Sequence, residues 1–176
     1  MRLLRLIGDI DCEDYIEEFS LNRILKMLST DQSLCEVIPF NDDDIIKPYF
    51  DIDDTVSPYF MKGIVLERSL SEIKKIFECT DFAIATSNRP GYISYHIIAQ
   101  IKITVLEFKQ KVKLLKTVDK SIYSFGRFRL PGQSKNINNK PKSPPLQILR
   151  GNVQDFFITS QYLPKNGEPI SPSHSG

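Results

Sequence analysis

Residues 45–54 read Ile45-Ile46-Lys47-Pro48-Tyr49-Phe50-Asp51-Ile52-Asp53-Asp54. An apolar, aromatic run that ends in carboxylates predicts a strand over 45–53. Pro48 marks its start or an edge, because proline donates no ladder hydrogen bond. Side chains alternate along a strand. Asp51 and Asp53 therefore share one face, Phe50 and Ile52 face the core, and Asp54 points away from the pair. Like charges at i and i+2 repel unless a counterion lies between them. The pair can hold one or two divalent cations at the strand end. It equally fits a solvent-facing acidic terminus, since Asp-x-Asp is a frequent chance pattern.

Downstream, FAIATS (82–87) and YISYHIIA (92–99) predict two strands around the turn Asn88-Arg89-Pro90-Gly91. Alternation places Ser94 and His96 on one face with Tyr92 above them. A Ser/His pair could act as nucleophile and base, but the Gly-x-Ser-x-Gly elbow of a hydrolase is missing. It could instead grip a phosphate through hydroxyl and imidazole donors. A histidine satisfied by a neighbour in a half-buried sheet explains the pattern as well.

A third cluster begins at Asp119 and continues through Tyr123, Arg127, Arg129, Ser134 and Lys135. In RFRLPGQSK, Arg127 and Arg129 share a strand face opposite Phe128 and Leu130. Two guanidiniums followed by a Gly-Gln-Ser-Lys turn suit a triphosphate, Arg as a bidentate donor and Lys as a point charge. A basic solvated strand gives the same pattern. Asp119 could be a third metal ligand or a surface turn residue.

Around these clusters, periodicity predicts an amphipathic helix over 15–29 through Ile16, Phe19, Ile24, Leu25 and Leu28. NDDD (41–44) reads as a loop. Residues 54–68 hold at most a short strand, MKGIVLE. Ser69 with Glu72 three residues on matches a capping box and predicts a helix over 69–80. Residues 103–116 predict another helix. SIYSFG and RFRLPG are expected to be short extended pieces, 132–145 a polar loop, LQILRG a short strand and VQDFFITSQYL a last ordered segment. A single domain is expected over 1–163, with 164–176 as a disordered tail. No internal repeat is found.

Composition narrows the chemistry. The 176 residues suffice for one real core but not for two comfortable domains. No window approaches ~18 uninterrupted apolar residues, so no membrane helix is expected. The opening MRLLRLIGDIDCED turns acidic early and lacks a small-residue cleavage site, so no signal peptide is expected. Cys12, Cys35 and Cys79 are odd in number and lack a Cys-x-x-Cys spacing. That argues against a disulfide scaffold or a four-cysteine zinc site and suits an intracellular, reducing compartment. The histidines are His96 and His174 alone, which argues against a multi-histidine metal site and against a rolling-circle endonuclease. A catalytic metal would have to be carboxylate-bound, hence hard, such as Mg²⁺ or Mn²⁺. Residues 1–60 carry a net charge of −9 and residues 61–176 a net +10, so a basic half is available to a polyanion.

The order of the clusters, Asp-x-Asp, then Ser-x-His, then a lone Asp ahead of RFRL and Ser-Lys, resembles the catalytic core of the archaeo-eukaryotic primase superfamily. The matching residues are PYFDID, Ser94-Tyr95-His96, Val118-Asp119, Tyr123, Phe128-Arg129-Leu130 and Ser134-Lys135, with Asn88-Arg89 ahead of the second motif. Over residues 45–160 the pattern is most similar to primase-polymerases and to the primase halves of primase-helicases from large DNA viruses. Tyr92 departs from it, standing where some relatives carry a basic residue. The resemblance implies an α+β primase fold, with an antiparallel RRM-like catalytic sheet beside an N-terminal αβ unit. It implies DNA-templated nucleotidyl transfer, either primer synthesis or primer extension. Asp51, Asp53 and Asp119 would hold two Mg²⁺ or Mn²⁺ ions. Ser94, His96, Arg129, Ser134 and Lys135 would grip an incoming NTP or dNTP. Arg89, Arg127, Lys140 and Lys142 would contact a single-stranded DNA template. A replicative helicase in the same polypeptide or complex is the implied partner, at replication sites, with no membrane. The zinc module, Walker A loop and helicase motifs of such systems are absent from these residues. A non-catalytic nucleic-acid-binding module and a metal-dependent nuclease or nucleotide hydrolase remain the alternatives.

Overall fold

Pro48 divides the decisive stretch in two. Residues on either side of it pair with different partners, and this break organises the molecule. A computed structural model describes residues 2–7, 10–15, 21–39, 41–54, 62–124, 126–137, 140–141 and 143–159. Their strands are β1 (Arg2–Ile7), β2 (Ile10–Tyr15), β3 (Leu34–Val37), β4 (Ile45–Ile46), β5 (Tyr49–Asp54) and β6 (Phe82–Thr86). They continue with β7 (Ile93–Ala99), β8 (Ile103–Thr104), β9 (Arg127–Arg129), β10 (Asn136–Ile137), β11 (Lys140–Pro141) and β12 (Gln147–Arg150). Among the described residues the helices are α1 (Leu21–Leu28), α2 (Lys62–Phe77) and α3 (Val105–Val112). Helices and antiparallel sheets together are compatible with the α+β class.

Two four-stranded antiparallel sheets carry the architecture. One runs β12-β6-β7-β5 and the other β2-β1-β3-β9. The first holds the aromatic-acidic strand at its edge and the expected hairpin inside it. Every residue of β7 is buried, which a β-branched run such as Ile93-Ser94-Tyr95-His96-Ile97-Ile98 tolerates only in an inner strand. The second sheet joins the N-terminal strands to β9, more than ninety residues later, through Cys35 opposite Arg129 and Val37 opposite Arg127.

The main core lies under the first sheet. Phe50 is fully buried against Phe77 of α2 and Phe108 of α3, with ring centroids 5.2 and 6.1 Å away. Its neighbour Tyr49 packs on Phe128 of β9 at 5.1 Å and on the same Phe108 at 5.2 Å. Both residues belong to the same core cluster, which joins β5 to α2, α3 and β9. A smaller cluster of Ile24, Leu28, Leu34, Leu130 and Phe157 seats α1.

Several local expectations are corrected. Residues 45–53 are not one strand: β4 pairs with β8, and β5 pairs with β7. Tyr15 belongs to β2 rather than to a helix, the described helix covers Leu21–Leu28, and residues 16–20 lie outside the described residues. MKGIVLE forms no described strand, since α2 begins at Lys62 and runs through Ser69. Ser69 is a fully buried mid-helix residue whose hydroxyl has no partner, so it caps nothing. The stripe Leu66, Leu70, Ile73 and Phe77 carries the helix across it, because core packing outweighs a local capping signal. The helix expected over 103–116 is shorter, with Thr104 as its cap: its hydroxyl accepts from Glu107 N at 3.1 Å. Ser121–Ser124 is a 3-10 turn rather than extended, and the polar loop contains the short β10–β11 pair. The expected tail lies outside the described residues. No helix among the described residues is long and apolar enough to cross a membrane.

Candidate functional site

The two motif strands meet in register. Asp51 lies directly opposite His96 and Asp53 opposite Ser94 across the β5–β7 ladder. Because side chains alternate, all four project to the same side, as the strand spacing predicts. Asp119 arrives by a different route. Its backbone N–H donates to the carbonyl of Asp51 at 2.8 Å, which brings the loop after α3 against the edge of β5. One carboxylate oxygen from each of Asp51, Asp53 and Asp119 lies within 4.8 Å of the others.

Each carboxylate is held differently. Asp51 is buried. Asp53 is exposed, and its Oδ1 accepts from the Tyr92 hydroxyl at 2.8 Å. Asp119 Oδ1 accepts from both the backbone N–H and the hydroxyl of Ser121, at 2.9 and 2.7 Å. The turn that carries Asp119 is anchored by Glu72, whose Oε1 accepts from Lys116 N, Thr117 N and Thr117 Oγ1 at 2.8–3.0 Å.

The electrostatics suit a cation. Burial, and then the charges of Asp53 and Asp119, push the carboxyl of Asp51 up to about 8. Arg129 opposes that shift. Asp51 Oδ1 is buried without a hydrogen-bond partner, and His96 Nε2 stands off it at 3.5 Å, too far for one. Burial, with the nearby Arg129 charge, holds the His96 imidazole well below its ordinary range, so it is neutral at pH 7. Three carboxylates, one of them with an unpartnered buried oxygen, form a group that could hold a hard cation.

The second wall of the site comes from the other sheet. A cavity of about 410 Å³ is lined by the three aspartates, Ser94 and His96 on one side and by Arg127, Arg129 and Lys135 on the other, with Arg89 also on its lining. Phe128 stacks on the His96 ring with centroids 4.2 Å apart, so two rings of the cavity lining couple the two sheets. Arg129 Nη1 donates to Ser143 Oγ at 2.9 Å.

The structure thus gathers nine of the residues singled out in the sequence. Ser134 is placed elsewhere: it is buried, off the cavity lining, and its hydroxyl donates to Asp31 Oδ2 at 2.5 Å. Its backbone N–H donates to the same carboxylate, so Ser134 shapes the turn that presents Lys135. The side chain of Lys140 and all of Lys142 lie outside the described residues. The sequence pattern missed Cys35, Ser87, Ser121 and Ser143 on the lining. Only Ser121 had a local signal, its position two residues after an aspartate.

No protein-family model matches the chain, and no curated protein matches its sequence.

Proposed function

We propose that this chain catalyses DNA-templated nucleotidyl transfer, as a catalytic domain of the archaeo-eukaryotic primase type. The observation that carries the reading is the convergence of Asp51, Asp53 and Asp119 within 4.8 Å, in one cavity with Arg127, Arg129 and Lys135. Carboxylates facing guanidinium and ammonium groups suit a metal-bound triphosphate. A nuclease would need the first wall and has less use for the second. The antiparallel sheet that carries Asp-x-Asp and Ser-x-His in register supports the primase fold with an RRM-like sheet.

Asp51, Asp53 and Asp119 would hold one or two Mg²⁺ or Mn²⁺ ions. Such ions lower the pKa of an attacking hydroxyl and offset charge on a leaving pyrophosphate. The rest is positioning by the chain's own groups. Arg129 and Lys135 bind the triphosphate, and neutral His96 and Ser94 orient it by hydrogen bonds. Arg89, Arg127, Lys140 and Lys142 would contact the phosphates of a single-stranded DNA template. The domain would act at replication sites, beside a helicase in the same polypeptide or complex.

The test is incubation of the chain with single-stranded DNA, Mn²⁺ or Mg²⁺, and labelled NTPs or dNTPs, with and without an annealed primer. Products without primer establish a primase and its sugar preference, and extension from primer alone establishes a polymerase. In either case Asp51→Ala with Asp53→Ala abolishes incorporation. Full activity in that double variant overturns the assignment, and DNA shortened by Mn²⁺ alone replaces it with a nuclease.

A further inference from the structure

Of the three carboxylates, Asp53 is the one that is exposed, and exposed carboxylates rotate freely unless tethered. Asp51 is fixed by burial and Asp119 by its double hydrogen bond to Ser121. Tyr92 does the corresponding work for Asp53, donating its hydroxyl to Oδ1 at 2.8 Å. It reaches there because Asp53 opposes Ser94, which makes Tyr92 the diagonal neighbour on the same sheet face.

The Tyr92 ring has a second contact. The Arg89 guanidinium sits over it, with Cζ 4.6 Å from the centroid. The turn between them is stiff. Arg89 and Tyr92 exchange two backbone hydrogen bonds at 3.1 and 2.9 Å, and Gly91 supplies the left-handed φ of +77° that closes the turn. Asn88 Oδ1 accepts from Ser94 N at 2.7 Å and ties the turn to the motif strand.

We propose that Tyr92 is a positioning residue with two functions, its hydroxyl aiming Asp53 at the metal and its ring seating Arg89 for a phosphate of the template. The proposal rests on the reading of Asp53 as a metal ligand. A hydrogen bond that pins one carboxylate oxygen fixes the direction of the other, and removing such an outer-shell partner costs 10–100-fold in metal affinity in comparable sites. A stacked guanidinium loses its platform, not its charge, when the ring is removed.

Two variants of the full chain separate the functions. Tyr92→Phe keeps the ring and loses the hydroxyl, and Tyr92→Leu loses both. Mn²⁺ affinity is read by electron paramagnetic resonance, which also reports the ligand symmetry of bound Mn²⁺. Single-stranded DNA affinity is read by fluorescence polarisation without metal. Tyr92→Phe is expected to bind Mn²⁺ roughly 10–100-fold more weakly with an altered spectrum, and DNA as tightly as the unsubstituted chain. Tyr92→Leu is expected to show the same Mn²⁺ loss plus a several-fold loss of DNA affinity. Unchanged Mn²⁺ affinity and spectrum in Tyr92→Phe overturn the positioning function. Unchanged DNA affinity in Tyr92→Leu overturns the seating function. Failure of the unsubstituted chain to bind Mn²⁺ at all overturns the metal reading of the three aspartates itself.

Discussion

Asp51 and His96 face each other across β5 and β7, with His96 Nε2 3.5 Å from Asp51 Oδ1 and no hydrogen bond between them. An ion pair would normally close such a gap. Here burial keeps the imidazole neutral, and burial with two neighbouring carboxylates resists ionisation of Asp51. The pair is thus not a salt bridge, since neither group readily takes the charge that would make it one.

Asp51→Asn follows directly. In metal-free buffer at pH 7 the variant is expected to be more stable than the unsubstituted chain by ~1–2 kcal/mol, because the buried Asp51 carboxyl is held neutral in the fold while it ionises in the unfolded chain, a cost that asparagine does not carry. Added Mn²⁺ should raise the melting temperature of the unsubstituted chain and leave the variant unmoved. A thermal-shift series with and without Mn²⁺ checks both. Lower metal-free stability in Asp51→Asn contradicts the electrostatic account.

Glu72→Ala tests how the third carboxylate is placed. Its side chain collects three hydrogen bonds from the turn preceding Asp119. The variant is expected to lose ~1–2 kcal/mol in a urea titration and about tenfold in Mn²⁺ affinity, though Glu72 is far from any ligand role. Intact metal affinity would mean that the Asp119–Asp51 backbone bond positions Asp119 unaided.

Arg129→Lys preserves charge and removes the planar fork. Arg129 holds Ser143 Oγ at 2.9 Å and lines the cavity beside the aspartates. Under the proposed function, nucleoside triphosphate affinity in the presence of Mn²⁺ should fall roughly 10-fold, since lysine offers no bidentate contact. Calorimetric titration measures this, and equal affinity would move the triphosphate grip to other residues.

Lys47 gives the chain a pH signature away from the site. Its ammonium is buried, donating to Gln100 Oε1 at 2.9 Å and to the Asp155 carbonyl at 3.1 Å. Burial lowers its pKa from 10.5 to about 8, with Asp155, Glu36 and Asp81 opposing the shift. Between pH 8 and 10.5 the unfolded chain therefore holds more protons than the folded one, and stability rises with pH across that window. The rise should amount to ~3–4 kcal/mol at most. Chemical denaturation of Lys47→Met at several pH values should lack this slope; an identical slope would show that another group titrates.

What the sequence disclosed and concealed has a physical pattern. The β6–β7 hairpin was legible because a Pro-Gly turn separates two β-branched runs, a local signal. The shared face of Asp51 and Asp53, and of Ser94 and His96, followed from strand alternation alone. Their mutual register did not, since pairing across forty residues depends on the whole sheet. Ser69 and Glu72 imitated a capping box, yet Glu72 is used by a turn more than forty residues away. Asp119 reached the site through a backbone hydrogen bond, which no side-chain pattern encodes. The pairing of β3 with β9 was equally silent, because four residues of β3 carry no mark of a partner so distant.

That last pairing has a consequence for synthesis. The strands bearing Asp51, Asp53, Ser94 and His96 are complete by residue 99, whereas Arg127 and Arg129 follow later and must pair back to Cys35 and Val37. A ribosome works from the N-terminus, so the acidic face exists before its basic counterpart has been translated. A nascent chain paused near residue 110 carries Asp51 and Asp53 but still lacks Asp119 and, of the cavity's cationic residues, Arg127, Arg129 and Lys135. Under the proposed function, a divalent cation held by Asp51 and Asp53 would be the counterion for that interval.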